Sequence, residues 1–204
     1  LSNWAMKVPG SGLVMEKVLG IASERTLPAF HRTTFRDWMD DRGGTRVPEQ
    51  DATAKALLLP DPYTNYSHPY VGKAAVRVLE AADVHVRLPE EVSDSGRPAF
   101  SKSMLDHCRQ TAEENVRALE PYVAHGSAVV AVEPSDYLSL VPTDAAERVA
   151  SNAYGICEYL DVHALDQHID FAGSEESLAY HGHCQQKATN KDHHAVAVLR
   201  RAGY

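Results

Sequence analysis

Three features of the sequence predict an α/β fold: a parallel sheet with flanking helices, in Rossmann-like repeats preceded by a helical connector. Short, wholly apolar runs at Ala56-Leu57-Leu58-Leu59 and Ala128-Val129-Val130-Ala131-Val132 suit strands buried on both faces. Between such runs lie stretches whose apolar residues recur at helical spacing. Short loops rich in proline, glycine and aspartate separate the two kinds of segment.

Taken in order, residues 1–50 form a connector. A short helix over Leu13 to Leu19 follows Pro9, Gly10 and Gly12, and Thr26 to Pro28 break it. A second helix over His31 to Asp41 has Phe30, Phe35 and Trp38 as its anchoring face and ends in Asp40-Asp41-Arg42-Gly43-Gly44. The first strand is Ala56 to Leu59. Pro69 opens the next helix, where a proline is tolerated in the first turn, with Val71, Ala75, Val78 and Ala82 as its stripe. Val84, Val86 and Leu88 alternate as a second strand. A long helix over Lys102 to Tyr122 carries Leu105, Cys108, Ala112, Val116 and Leu119 on one face and stops at Gly126. The third strand is Ala128 to Val132. Thr143 caps a helix over Asp144 to Leu160 with stripe Ala146, Val149, Ala153, Ile156 and Leu160. Ser177 to Tyr180 reads as the fourth strand. Asn190 caps the last helix, which has Asp192 in its first turn and ends at Arg200-Arg201-Ala202-Gly203-Tyr204 with a glycine cap.

Composition narrows the function classes. With 204 residues the chain can bury a real core. A net charge of −8 argues against nucleic acid as the main partner, because a phosphate backbone requires a basic face. Three cysteines, Cys108, Cys157 and Cys184, are too few and too odd in number for a disulfide framework, which favours a reducing compartment. No apolar run approaches the roughly 18 residues of a spanning helix, and no signal peptide is visible. The expected location is cytoplasmic, with peripheral association at the inner face of the membrane as a variant. The opening at Leu1 and the helix terminus at Tyr204 read as a piece of a longer polypeptide.

Right-handed crossovers place the strand-to-helix loops at one edge of such a sheet, where ligands bind. Those loops carry Asp61-Pro62-Tyr63-Thr64-Asn65-Tyr66, Ser93-Asp94-Ser95-Gly96-Arg97, Glu133-Pro134-Ser135-Asp136 and His181-Gly182-His183-Cys184. Each aspartate alone suits a turn or helix cap. Gathered at one edge, Asp61, Asp94 and Asp136 with two imidazoles and a thiol suit a site. Imidazole and thiolate are ligands for iron–sulfur centres, zinc and copper. Cys108 and Cys157 lie on or beside apolar helix stripes and read as small buried hydrophobes, whereas Cys184 stands at a loop mouth. No G-x-G-x-x-G, G-x-x-x-x-G-K-S/T or G-x-S-x-G motif is present. His193 and His194 are helix neighbours about 100° apart and cannot readily chelate together.

Five segments together resemble the cysteine-rich CCG domain, which occurs in the B-type chain of heterodisulfide reductase, in glycolate oxidase iron–sulfur subunits and in the third subunit of anaerobic glycerol-3-phosphate dehydrogenase. They are Leu59 to Tyr66, Gly96-Arg97-Pro98, Ser101 to Leu105, Glu133-Pro134-Ser135 and His181 to Lys187. The match is most similar to the C-terminal part of fused FAD-linked, iron–sulfur proteins of the D-lactate and D-2-hydroxyglutarate dehydrogenase type. The resemblance divides the chain into a connector (1–50), a first, degenerate and cysteine-poor repeat (51–142) and a second, truncated repeat (143–204). In the first repeat Asp61, Asp94, Ser95 and Asp136 stand where the family has cysteines. Cys184 matches a family cysteine.

The resemblance implies part of the electron-transfer module of a flavin-dependent oxidoreductase that oxidises a 2-hydroxy acid, of the D-lactate, glycolate, D-2-hydroxyglutarate or glycerol-3-phosphate type. FAD and an iron–sulfur cluster are implied for the whole protein, with none bound by this piece, which alone is expected to be inactive. Flavin and ferredoxin-like domains are the implied partners. Cys184, with His181 and His183 beside it, becomes the candidate ligand or redox position. Two rivals stand beside this reading: a divalent-metal hydrolase or lyase site of Asp61, Asp94, Asp136, His181 and His183, and a non-catalytic docking domain.

Overall fold

The structure, a computed structural model, describes every residue except 1, 7, 26, 93–94 and 134–142, and omits the side chains of residues 2 and 5. Ten α-helices and four strands are found among the described residues. The connector holds α1 (Ser2–Ala5), α2 (Ser11–Leu19) and α3 (Phe35–Asp41). Then follow β1 (Ala54–Leu59), α4 (Pro69–Ala81), β2 (Val84–Arg87), α5 (Arg97–Ser101), α6 (Leu105–Ala124) and β3 (Ser127–Ala131). The chain closes with α7 (Asp144–Ser151), β4 (Ala153–Gly155), α8 (Ile156–Val162), α9 (Cys184–Ala188) and α10 (Asp192–Arg201). The sheet has the order β2-β1-β3-β4, and all three pairings are parallel.

Alternation along the central strands divides the core into two layers. Ala56 and Leu58 of β1 and Ala128 and Val130 of β3 face a cluster built from Phe35 and Met39 of α3, Val76 and Leu79 of α4, Tyr159 and Leu160 of α8, and Val198 of α10. Leu57, Val129 and Ala131 face the opposite cluster, with Val116 and Leu119 of α6 and Ala146 and Val149 of α7. The inner parts of both central strands, 56–59 and 128–131, are therefore apolar without interruption, because helices cover each face there.

Local chemistry fixes the helix ends. Thr34 and Asp37 form a reciprocal capping box on α3: the Thr34 hydroxyl accepts from the Asp37 amide at 3.0 Å, and the Asp37 carboxylate accepts from the Thr34 amide at 2.9 Å. Those hydrogen bonds hold the Asp37 carboxyl below its ordinary range. Thr143 caps α7 through a bond to the Ala146 amide at 3.1 Å. Gly72 lets α4 approach α3 closely. A Cβ there would stand 2.8–2.9 Å from three carbons of the fully buried Phe35 ring. Gly72→Val is expected to cost about 2 kcal/mol or more by overpacking, read as a lower urea midpoint with an unchanged slope.

The connector is bound to the main layer by polar contacts as well. Glu80 of α4 accepts two bonds from Arg42 (2.9 and 3.0 Å), one from the Thr45 hydroxyl (3.1 Å) and one from the Arg46 amide (2.7 Å). Arg42 also lies over the Trp38 ring at 4.7 Å.

Four sequence expectations need correction. The fourth strand is Ala153–Gly155, not Ser177 to Tyr180; the latter segment has no regular structure and is exposed, with Leu178 and Tyr180 at 52% and 40% accessibility. The helix expected over Asp144 to Leu160 is two helices separated by that strand. Its stripe kept helical spacing through Ala153, but Asn152 ends α7, and Ala153–Gly155 pairs with Val129–Ala131 of β3. Asn190 does not cap α10: it takes a left-handed φ of 55°, and Lys191 occupies the cap position, where its side chain accepts no bond from the helix amides. Phe30 is half exposed rather than anchoring, leaving Phe35 and Met39 to bury the face of α3.

Candidate functional site

The carboxyl ends of the parallel strands share one edge of the sheet, and the segments leaving them hold most of the residues singled out from the sequence. After β1, Asp61 opens a single π-helical turn, Tyr63–Ser67. Its Oδ1 accepts from the amides of Tyr63 (2.8 Å) and Thr64 (3.0 Å), so the carboxylate caps its own turn. The buried Asn65 in that turn accepts from the Arg36 amide at 3.0 Å and thereby tethers α3 to the strand end. After β2, the Ser95 hydroxyl accepts from the Arg97 amide at 3.3 Å. Asp94 and Asp136 lie outside the described residues.

His181, His183 and Cys184 reach this edge through irregular chain rather than from a strand end. The geometry is set by His183, the N-cap of α9. Its Nδ1 accepts from the Gln185 amide at 3.2 Å. A ring nitrogen that accepts an amide proton is unprotonated, so the proton sits on Nε2. Nε2 faces a carboxylate oxygen of Glu133, two residues beyond β3, at 3.5 Å. Both imidazole nitrogens are thus engaged, and the segment is brought to the end of β3. Cys184 is exposed as the first residue of α9; His181 is exposed beside it. Gly182 between the histidines is buried near Lys187 and Asp192.

The neighbouring helices hold this segment in place. Lys191 pairs with Glu158 at 2.7 Å, and Glu158 accepts from the Gly155 amide at 3.3 Å, which ties α10 to the start of α8. Asp161 of α8 accepts from His194 Nδ1 at 2.6 Å and from Arg201, which also bonds the buried Asp166. Sequence reasoning missed this cluster, because its members are up to 40 positions apart and only tertiary packing joins them.

The bonds from His194 and then Arg201 hold the Asp161 carboxyl below its ordinary range. Its contribution to stability is therefore complete above about pH 4, the range of an unfolded aspartate, and is lost as pH falls through the depressed folded value. Asp161→Asn is expected to melt lower at pH 7, and the gap from the parent should close as the acid limb is descended. A melting series from pH 7 to 2 checks this.

The three thiols differ. Cys157 is half-buried on α8, and burial, followed by the Asp161 charge, pushes its thiol up from the ordinary value. It is protonated and inert at neutral pH. Cys108 is also half-buried, whereas Cys184 is exposed. Iodoacetamide at pH 7.5 is expected to modify Cys184 first and Cys157 last, as read by peptide mass spectrometry.

An iron–sulfur cluster does not fit this chain's residues by themselves. A four-thiolate centre needs four cysteines; the chain has three, and two of them are half-buried on helices. Among the described residues no group of three or more histidine, cysteine, aspartate or glutamate side chains could hold a metal ion. No helix among them is long and apolar enough to cross a membrane.

Comparison with known proteins adds a second line of observation. No family model matches the chain, and no solved structure matches it. It is 29% identical over 110 residues to the C-type chain of anaerobic glycerol-3-phosphate dehydrogenase from Escherichia coli (strain K12), over 54% of this chain and 27% of that protein. It is 30% identical over 125 residues to lactate utilization protein A of Bacillus pumilus (strain SAFR-032), over 57% of this chain and 51% of that protein. The chain thus spans about a quarter of the first relative and about half of the second.

Proposed function

We propose that this chain is part of the electron-transfer module of an oxidoreductase that uses flavin and iron–sulfur chemistry on a 2-hydroxy acid or glycerol-3-phosphate. The observation that carries the reading is the similarity to one chain of a glycerol-3-phosphate dehydrogenase and to a lactate utilization protein. The sheet edge supports it: Cys184 is exposed there, beside a histidine fixed against Glu133. In this reading Cys184 is one cluster ligand or redox position, and other thiolates come from another part of the assembly. Bound flavin belongs to another domain and supplies substrate oxidation; the present residues position Cys184 and keep the Cys157 thiol out of the chemistry. In this reading two repeats meet near residue 142.

The divalent-metal reading has no observation in its favour. Asp61 has one carboxylate oxygen committed to two amides, and both His183 nitrogens are engaged.

The test is anaerobic purification of the native assembly through a tag on this chain. Flavin and iron are expected to copurify, with an absorbance that bleaches on adding D-lactate, glycolate, D-2-hydroxyglutarate or glycerol-3-phosphate. An assembly without flavin and iron would remove the proposal.

A further inference from the structure

We infer that residues 173–204 form an arm that opens from the body as one unit while the sheet stays folded, and that a seam of opposite charges centred on α8 governs the opening. Apolar packing holds this stretch only weakly. Within 173–204 only Gly182, Ala195 and Val198 are buried, and Val198 is the arm's one buried member of either core cluster. Leu178, Tyr180 and Tyr204 are exposed. No backbone hydrogen bond joins 173–204 to the rest of the chain among the described residues. Segments with so few buried apolar contacts open at lower cost than the core strands do.

Charge does most of the holding. Lys191 pairs with Glu158 at 2.7 Å, His194 with Asp161 at 2.6 Å, and Arg201 with both Asp161 and Asp166. His183 adds its contact with Glu133 at 3.5 Å. In each of these pairs the basic or imidazole side chain belongs to the arm and the carboxylate to the body. The side chains of Lys191 and Arg201 retain 30% and 41% of their accessible surface. Dissolved ions therefore reach the seam and screen it, whereas the apolar contacts of the sheet have no charge to screen.

The arm is a unit because it closes on itself. Ile169 still packs against the first core cluster. Asp170, Phe171 and Ala172 follow without regular structure, and none of them is buried. Gly173 then meets the far end of the chain: a Cβ on Gly203 would stand 2.9 Å from the Gly173 Cα. Between those ends, the Lys191 amide donates to the Gln186 carbonyl at 2.7 Å and ties α10 to α9. Gly182 lies against Lys187 and Asp192. The change of backbone angle that opens the arm thus falls at 170–172, the few residues between two packed parts. Opening breaks the contact of His183 with Glu133 and carries Cys184 away from the end of β3. Under the function proposed above, that motion withdraws the redox position; the opening itself does not rest on that reading.

The experiment is amide hydrogen exchange of the intact chain, read by mass spectrometry in potassium chloride at about 0.15 M and about 1 M. At the lower salt α9 and α10 are expected to share one level of protection, about tenfold or more below that of β1 and β3. Raising the salt cuts the screening length from about 8 Å to about 3 Å. It should speed exchange in both helices by about threefold or more and leave β1 and β3 unchanged. Arg201→Met should produce the same rise at the lower salt, and Lys191→Met, which breaks a different pair, gives the same readout should the first variant fail to fold. Protection of α9 and α10 equal to that of β1 and β3, an equal salt response in arm and sheet, or opening of α9 without α10 would each overturn the inference. None of these readouts depends on flavin, iron or turnover, so failure of the redox proposal would leave the arm standing.

Discussion

Glu80→Ala is expected to lower the stability of the folded chain by about 3 kcal/mol and to release the segment after α3 from the main layer. The reason is the asymmetry of buried charge. The Arg42 and Glu80 side chains retain only 12% and 10% of their accessible surface. Removing the carboxylate leaves a largely buried guanidinium without its counter-charge, which costs about 3–5 kcal/mol in comparable sites. The Thr45 hydroxyl and Arg46 amide lose their acceptor in the same step. Arg42 has little reserve, since its Nε is already buried without a hydrogen-bond partner among the described residues. Glu80→Gln keeps an acceptor oxygen and the side-chain volume but not the charge, so it should fall between Glu80→Ala and the parent. Urea denaturation followed by Trp38 fluorescence and by far-ultraviolet dichroism checks both effects. Because the same residue holds Thr45 and Arg46 against α4, amide exchange over 43–48 should quicken in Glu80→Ala before β1 is affected.

The sequence disclosed the parts of the fold that packing dictates on both sides. Leu57, Leu58, Val129 and Val130 are apolar without a break because helices cover each face, and they read as buried strands at once. The helix opened by Pro69 was equally legible from its stripe. Ala153–Gly155 was not. Three residues have too little pattern of their own, and their spacing continued the stripe of Ala146 and Val149. Only pairing with Val129–Ala131 makes them a strand. Leu178-Ala179-Tyr180 shows the converse: alternation suggested a strand, but no neighbour among the described residues pairs with it.

The site was legible in a similar, partial way. Cys184 and the two histidines stood out by residue type, and the expectation that they approach the strand ends holds for His183 through Glu133. The route was different, through irregular chain and the α9 cap. The polar anchors that hold α10, Asp161 with His194 and Arg201, and Glu158 with Lys191, had no local signature. Each is an ordinary helix-surface residue until the two helices meet.

Substitution of Cys184 is expected to have the largest functional effect. The residue is exposed, borders no core cluster, and starts a five-residue helix whose cap belongs to His183. Cys184→Ser therefore changes one sulfur for an oxygen with little consequence for folding; its melting temperature should match the parent. A serine hydroxyl is a poor substitute for a thiolate on iron, so loss of a ligand appears as loss of a cluster rather than loss of the protein. Cys157→Ser, at a half-buried thiol held protonated, supplies the contrast: some loss of stability and no change in redox behaviour.

The decisive measurement is electron paramagnetic resonance of the dithionite-reduced native assembly, parent against Cys184→Ser, with turnover by an artificial electron acceptor followed in parallel. The account expects the variant to lose one iron–sulfur signal and to turn over at least about tenfold more slowly, about 1.4 kcal/mol or more in activation free energy. An unchanged spectrum with unchanged turnover would contradict it and leave the chain a docking domain without a redox role.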